Sequence, residues 1–225
     1  MMAGVFSDVI VATCDADIAQ EVARWGGRFV MTSSTHQAAT DRVAEAAESL
    51  DCTHVVNVQG DEILVLPEDL ALLVRSMRKD PGVEAWNAVA PVGSYDQLSD
   101  RSVVKCVISE SAKIMYCSRD FSHVFPSPAA TYDPVRIILG ILAYRKDFLL
   151  KYGRMARAPL ESVTSVDQNR ILENDVTIAS VGFACGYPGI NEPREVPLVE
   201  RFLSQDQRQN ILLAKILDCS REAVA

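Results

Sequence analysis

Asp61 and Glu62 stand directly behind the run His54-Val55-Val56-Asn57-Val58-Gln59-Gly60, and this is where the chain could do chemistry. A carboxylate such as that of Asp61 is a hard oxygen ligand for a cation like Mg2+. Gly60 would let the backbone turn sharply or let a ligand approach closely. The mostly β-branched stretch from His54 to Val58 reads as a central strand of an α/β sheet, flanked on both sides, with Asp61 at its C-terminal edge in a cleft. Open α/β sheets bind their ligands at that edge. Alone, the octapeptide reads more simply as a strand followed by an ordinary polar turn, so the rest of the chain has to decide.

The elements that would position this edge can be read in order. Val9-Ile10-Val11-Ala12 is strand-like, and Asp15 has the character of an N-cap for a helix bearing Ile18, Ala19, Val22 and Ala23. Gly26-Gly27 stops that helix and Arg28–Met31 forms a second short strand. A polar loop through His36 precedes a helix opened by Thr40-Asp41-Arg42, and Pro67-Glu68-Asp69 opens the helix after the Gly60-Asp61-Glu62 turn. Strands alternating with helices imply parallel pairing through right-handed crossovers. Beyond Pro81-Gly82 the strand-like runs 85–92, 103–109 and 113–118 are joined by short polar links, so the sheet becomes mixed. Residues 121–134 read as an exposed loop, 137–144 as a strand, 159–173 as one helix, 176–183 as a strand and 197–217 as mainly helix.

At 225 residues the chain suits a single domain, 1–225, with a smaller mixed-sheet portion within about 85–155. A net charge of −8 argues against a dedicated nucleic-acid surface. It leaves a nucleotide open as substrate, because a metal can screen phosphates locally. The six cysteines form no CxxC pair, and buried free thiols in a reducing cytoplasm account for them best. No apolar run is long enough to span a bilayer.

Several separated stretches together resemble the sugar-acid cytidylyltransferases, which make CMP-activated acids. They are Ile10-Val11-Ala12-Thr13, His36 with Thr40-Asp41-Arg42, Val56 to Glu62, Val104-Lys105, Ser118-Arg119, Gly140 with Tyr144-Arg145, Pro159-Leu160-Glu161, and Asp167 with Arg170. The resemblance implies a nucleotide-diphospho-sugar transferase fold, a Rossmann-like three-layer sandwich with a mixed central sheet. It implies CTP and an anionic sugar acid of the Kdo (3-deoxy-manno-octulosonate) type as substrates, pyrophosphate as leaving group, Mg2+ as cofactor and a cytoplasmic homodimer serving lipopolysaccharide or surface-glycan synthesis. By resemblance Asp61 and Asn191 are the metal ligands, and Asp61, Gln59 and Lys105 the catalytic groups. Gln59, on the same strand face as Asp61, can hydrogen-bond base or sugar. His36, Thr40, Asp41, Arg42, Gly60, Arg119, Glu161, Asp167 and Arg170 are the further substrate-binding candidates. Lys105 and Arg119 could meet a phosphate or a sugar carboxylate, or be solvated surface cations. Asp167 and Arg170, three apart on one helical face, could instead pair with each other.

Four departures from the family pattern fall at the site. The family's first strand and its Arg- and Lys-bearing loop are missing ahead of Val9, a loss expected to leave sheet edges unpaired and the chain alone a poor catalyst. Ala38-Ala39 replaces Ser-Gly, Asn191 replaces an Asp, and Ile138 and Leu142 stand where the family has His and Tyr. An inactive relative with a binding or regulatory role, or a cytidylyltransferase for another sugar acid, are the competing readings.

Overall fold

The computed structural model describes residues 3–125, 127–190 and 192–224, with side chains as far as residue 218. The chain opens with β1 (Ile10–Thr13), α1 (Ala16–Arg24) and β2 (Arg28–Met31). Asp15 is the N-cap of α1, its carboxylate accepting from the N–H groups of Asp17 and Ile18. β1 and β2 pair in parallel and form a two-stranded sheet of their own.

Next come α2 (Ala39–Glu48), β3 (His54–Val58), α3 (Pro67–Lys79) and β4 (Ala85–Pro91). They are followed by α4 (Asp96–Ser99), β5 (Lys105–Ile108), β6 (Lys113–Ser118), β7 (Val135–Arg145) and α5 (Lys146–Tyr152). The rest is α6 (Pro159–Thr164), α7 (Gln168–Glu173), β8 (Ile178–Gly182), α8 (Val196–Gln205) and α9 (Gln207–Val224). Six strands make a mixed sheet in the order β3-β7-β4-β8-β6-β5, with β5 also reaching β7.

Two apolar layers cover this sheet. On one face Ala44 and Ala47 of α2, Phe148 and Tyr152 of α5 and Ile171 of α7 pack against Leu142 and Tyr144 of β7. On the other, Leu73, Val74 and Met77 of α3 pack against Trp86, Ile141 and Val181. The result is the expected three-layer α/β sandwich with a mixed sheet.

Three sequence expectations change. β3 is not internal: among the described residues it pairs only with β7, antiparallel, and forms the edge of the six-stranded sheet. Among the described residues β1 and β3 belong to separate sheets. The helix expected over 159–173 is two helices, because Ser165 adopts a left-handed conformation (φ 53°) and closes α6. The cysteines are only partly buried. Cys106 and Cys117, cross-strand partners on β5 and β6, are buried free thiols, while Cys14 and Cys185 are exposed.

Candidate active site

The edge after β3 is built by three segments meeting around Gln59 to Glu62. Gln59 N–H donates to the Gly140 carbonyl at 2.8 Å, and Gly140 N–H returns a bond to the Glu62 carboxylate. Gly140 sits in an irregular part of β7, where the register with β4 shifts between Asn87 and Val89. The Asn87 amide fills that irregularity, donating to the carbonyls of Leu139 (2.9 Å) and Ile141 (3.2 Å) on either side of Gly140. Bulges of this kind recur beside active sites because they re-aim a strand.

A side chain at position 140 would displace the ends of the Gln59 and Glu62 side chains. A β-carbon there would lie 2.6 Å from Gln59 Oε1 and 3.0 Å from Glu62 Oε1. From the other side the loop after β8 brings Gly189 against Asp61. The turn itself is held from behind: Leu64 and Leu66 are buried, and the Gln209 amide on α9 donates to the Leu64 carbonyl at 2.6 Å. Burial raises the Glu62 carboxyl above its ordinary value, with the neighbouring Asp61 charge adding to it and the Gly140 N–H opposing it. Gln59, Gly60 and Asp61 line a cleft of about 1490 Å³ between β1 and β3.

The remaining candidates gather around the start of α2. Arg170 is buried and forks onto Glu161, with Nε to Oε2 at 2.8 Å and Nη2 to Oε1 at 2.6 Å, while Nη1 reaches Asp41 at 2.8 Å. Its guanidinium lies 4.3 Å from the centre of the Tyr152 ring. Asp167 pairs elsewhere, accepting from the Thr40 hydroxyl at 2.6 Å. Burial raises the Asp167 carboxyl, and the Thr40 bond only partly offsets it. Arg42 holds the preceding loop through Thr32 Oγ1 (2.6 Å), and His36 meets Glu45. A smaller hollow of about 330 Å³ opens beside this network, lined by His36, Gln37, Asp41, Arg157 and Arg170 among others.

Against known families, residues 1–178 match the cytidylyltransferase family as a whole. The chain belongs to that family. It is similar to the 3-deoxy-manno-octulosonate cytidylyltransferase of Geobacter metallireducens, with 34% identity over 91% of this chain and 84% of the relative. The Escherichia coli protein of the same name is 29% identical over 93% of this chain and 83% of its own length. A solved structure of CMP:2-keto-3-deoxy-manno-octonic acid synthetase complexed with CTP superposes with a TM-score of 0.81 at 28% identity, covering 90% of this chain and 83% of that one. The fold extends to a 4-diphosphocytidyl-2C-methyl-D-erythritol synthase from Anaerococcus prevotii at TM-score 0.59 and 12% identity.

Within this cytidylyltransferase chain the expected cations act as backbone ties. Lys105 is buried, and its ammonium donates to the carbonyls of Asp100 (2.8 Å), Val103 (2.8 Å) and Arg119 (2.6 Å). Burial pulls its pKa down to about 8, against the attraction of Asp100 and Asp120. Arg119 donates to the carbonyls of Thr164, Arg101 and Ser165. Both side chains therefore hold loops together and are not open cations awaiting a phosphate. Of the two readings of Asp167 and Arg170, the pairing of one with the other is not formed: Arg170 pairs with Glu161 and Asp41, and Asp167 takes the Thr40 hydroxyl.

Among the described residues no three His, Cys, Asp or Glu side chains cluster as a ready-made cation cage. Asp61, which lines the cleft together with Asp8 and Asp51, is the kind of single carboxylate that suits Mg2+, commonly held by one or two carboxylates together with substrate phosphates. Asn191, the second expected ligand, lies outside the described residues. Of the altered family positions, Leu142 is buried and Ile138 packs against the same core cluster, while Ala39 lines the cleft. Gly140 and Glu62 stand within stretches that resemble the family, but the bond between them and the close packing of Gly189 on Asp61 join distant segments and are announced by no local pattern.

Proposed function

We propose that this chain transfers CMP from CTP to the anomeric hydroxyl of Kdo, releasing pyrophosphate, at the C-terminal edge of β3. The observation that carries this reading is the placement of Gln59, Gly60 and Asp61 on the cleft wall, locked by Gly140 and Gly189, in a chain 34% identical to a Kdo cytidylyltransferase. Gln59 orients the base or the sugar through its amide. Asp61 takes the Mg2+ that accompanies the nucleotide, and bound there the ion would neutralise phosphate charge as the α-phosphorus is attacked. The network of Thr40, Asp41, Glu161, Asp167 and Arg170 fixes α2 and the His36 loop beside the cleft, so these residues position the substrate walls.

A cytoplasmic setting and a homodimer go with this reading. Met115 and Tyr116 on β6 remain 63% and 39% exposed, which supports β6 as the place where a second copy packs. Among the described residues no helix is long and apolar enough to cross a membrane. The acceptor is tested by incubating the chain with CTP, Mg2+ and either Kdo or N-acetylneuraminate and identifying the product by mass. CMP-Kdo as the main product supports the assignment. A CMP conjugate formed with N-acetylneuraminate alone, or no conjugate with either acid, would overturn it.

A further inference from the structure

α9 lies beyond residues 1–178, the part of the chain that matches the family. Of its described side chains only Gln209 is buried, at 2% exposed, while Leu212 and Leu213 are half-buried and the others exposed. A buried amide is stable in such a place only when its hydrogen bonds are made. The start of the helix aims it. Asp206 accepts from the N–H groups of Arg208 (2.9 Å) and Gln209 (3.0 Å), which fixes the first turn of α9 with the Gln209 side chain directed inward.

There the amide donates to the Leu64 carbonyl at 2.6 Å, in the turn that carries Asp61. It also meets the hydroxyl of Tyr187 in the loop after β8, and that hydroxyl bonds the Cys185 thiol in turn. The Tyr187 ring stands edge-on to Phe202 of α8, with centroids 5.9 Å apart. The same loop carries Gly189, which packs directly on Asp61. Gln209 therefore joins the two segments that meet at Asp61, and it does so from behind, because it does not line the cleft.

We propose that Gln209 is a positioning residue for the transfer reaction: by tying the Leu64 carbonyl to the Tyr187 loop it sets the Asp61 turn against Gly189, and with it the carboxylate offered to Mg2+. The inference rests on the reading of the cleft as a cytidylyl-transfer site. It assigns to a helix outside the family match a part in holding the metal ligand.

Gln209→Met keeps the length of the side chain and loses the donor. Gln209→Glu regains a donor only when its new carboxyl is protonated, which burial promotes. Both are compared with the unaltered full chain for pyrophosphate release at varied Mg2+, CTP and Kdo. Gln209→Met should raise the Mg2+ concentration for half-maximal rate about tenfold, the worth of one hydrogen bond, and leave the KM for Kdo unchanged. Gln209→Glu should match Gln209→Met at about pH 8.5 and approach the unaltered chain toward about pH 6, whereas a packing role alone would leave the two variants alike at every pH.

Hydrogen exchange on the metal-free chain gives a second readout that needs no turnover. Residues 60–66 and 183–190 should exchange faster in Gln209→Met, and α1 should not. Ile211→Ala, an exposed change on the same helix, should alter neither readout. Tyr187→Phe removes only the hydroxyl and should quicken exchange in 183–190, which keeps the test open if Gln209→Met does not fold. No pyrophosphate from the unaltered chain would sink the transfer reading, and exchange alone would then decide whether Gln209 couples the two loops. An unchanged Mg2+ requirement in a folded Gln209→Met, identical pH profiles for the two variants, or exchange that quickens only in α9 would each overturn the inference.

Discussion

Gly189 lies so close to Asp61 that a β-carbon on it would sit 2.8 Å from the Asp61 carbonyl oxygen. The obstacle is backbone, which cannot swing aside as a side chain would, so Gly189→Ala must push the loop after β8 away from the β3 edge. A misplacement of about 1 Å near the reacting groups can lower rates on the order of 100-fold. Gly189→Ala is therefore expected to lose transfer activity by about that factor while its thermal midpoint changes little. Steady-state kinetics beside a melting curve will separate the two effects.

Gly60 behaves in the opposite way. A β-carbon there would meet nothing within 4 Å, and its φ lies outside the positive range. The turn itself does not demand glycine, which leaves close approach of a ligand as its reason. Gly60→Ala should keep or raise stability, by about 0.4–1 kcal/mol from reduced unfolded-chain entropy. The same change should weaken CTP binding, measured by titration calorimetry with Mg2+ present. Unaltered CTP affinity would remove Gly60 from the substrate path.

Arg170→Ala removes the main partner of the buried Glu161 carboxylate and of the half-buried Asp41. Removing one partner of a buried ion pair typically costs about 3–5 kcal/mol, and denaturant melts should show a loss of that order. The pH dependence should change as well. Burial alone would raise the Glu161 carboxyl, but the bonds from Arg170 and the Ala158 N–H hold it below its ordinary value of 4.5. A depressed folded pKa means that this stability is present above 4.5 and is lost as pH falls through the lower folded value. Asp167, raised by burial, contributes with the opposite sign. Without Arg170 the acid side of the stability curve should therefore flatten.

Ala38 is the N-cap of α2, with extended backbone and no side-chain acceptor for the first N–H groups of the helix. Ala38→Ser supplies that acceptor. Its expected gain is about 1 kcal/mol, read as a higher denaturant midpoint at constant m-value.

The core of the fold was legible because it follows from local rules. Asp15 capped its helix, β3 ran over His54–Val58, and the helices covering the sheet followed the apolar spacing of Ala44 and Ala47 and of Leu73, Val74 and Met77. Two features were not local and were misread. The edge position of β3 depends on which strand does or does not lie beside it, and no residue of β3 records that. The roles of Lys105 and Arg119 depend on carbonyls from distant loops, such as Arg119 reaching Thr164, and a cation in a sequence looks the same whether it faces phosphate or backbone. Ser165 in its left-handed conformation broke a helix that side-chain spacing alone continued.

In the proposed reaction the β3 edge, through Asp61, supports transfer of CMP to Kdo. The direct measurement is pyrophosphate release from CTP and Mg2+, with and without Kdo, by the unaltered chain and by Asp61→Ala. Release should require Kdo and fall on the order of 100-fold or more in Asp61→Ala, the usual effect of losing one preorganised electrostatic contact. Release that ignores Kdo, or that survives the loss of Asp61, would contradict it.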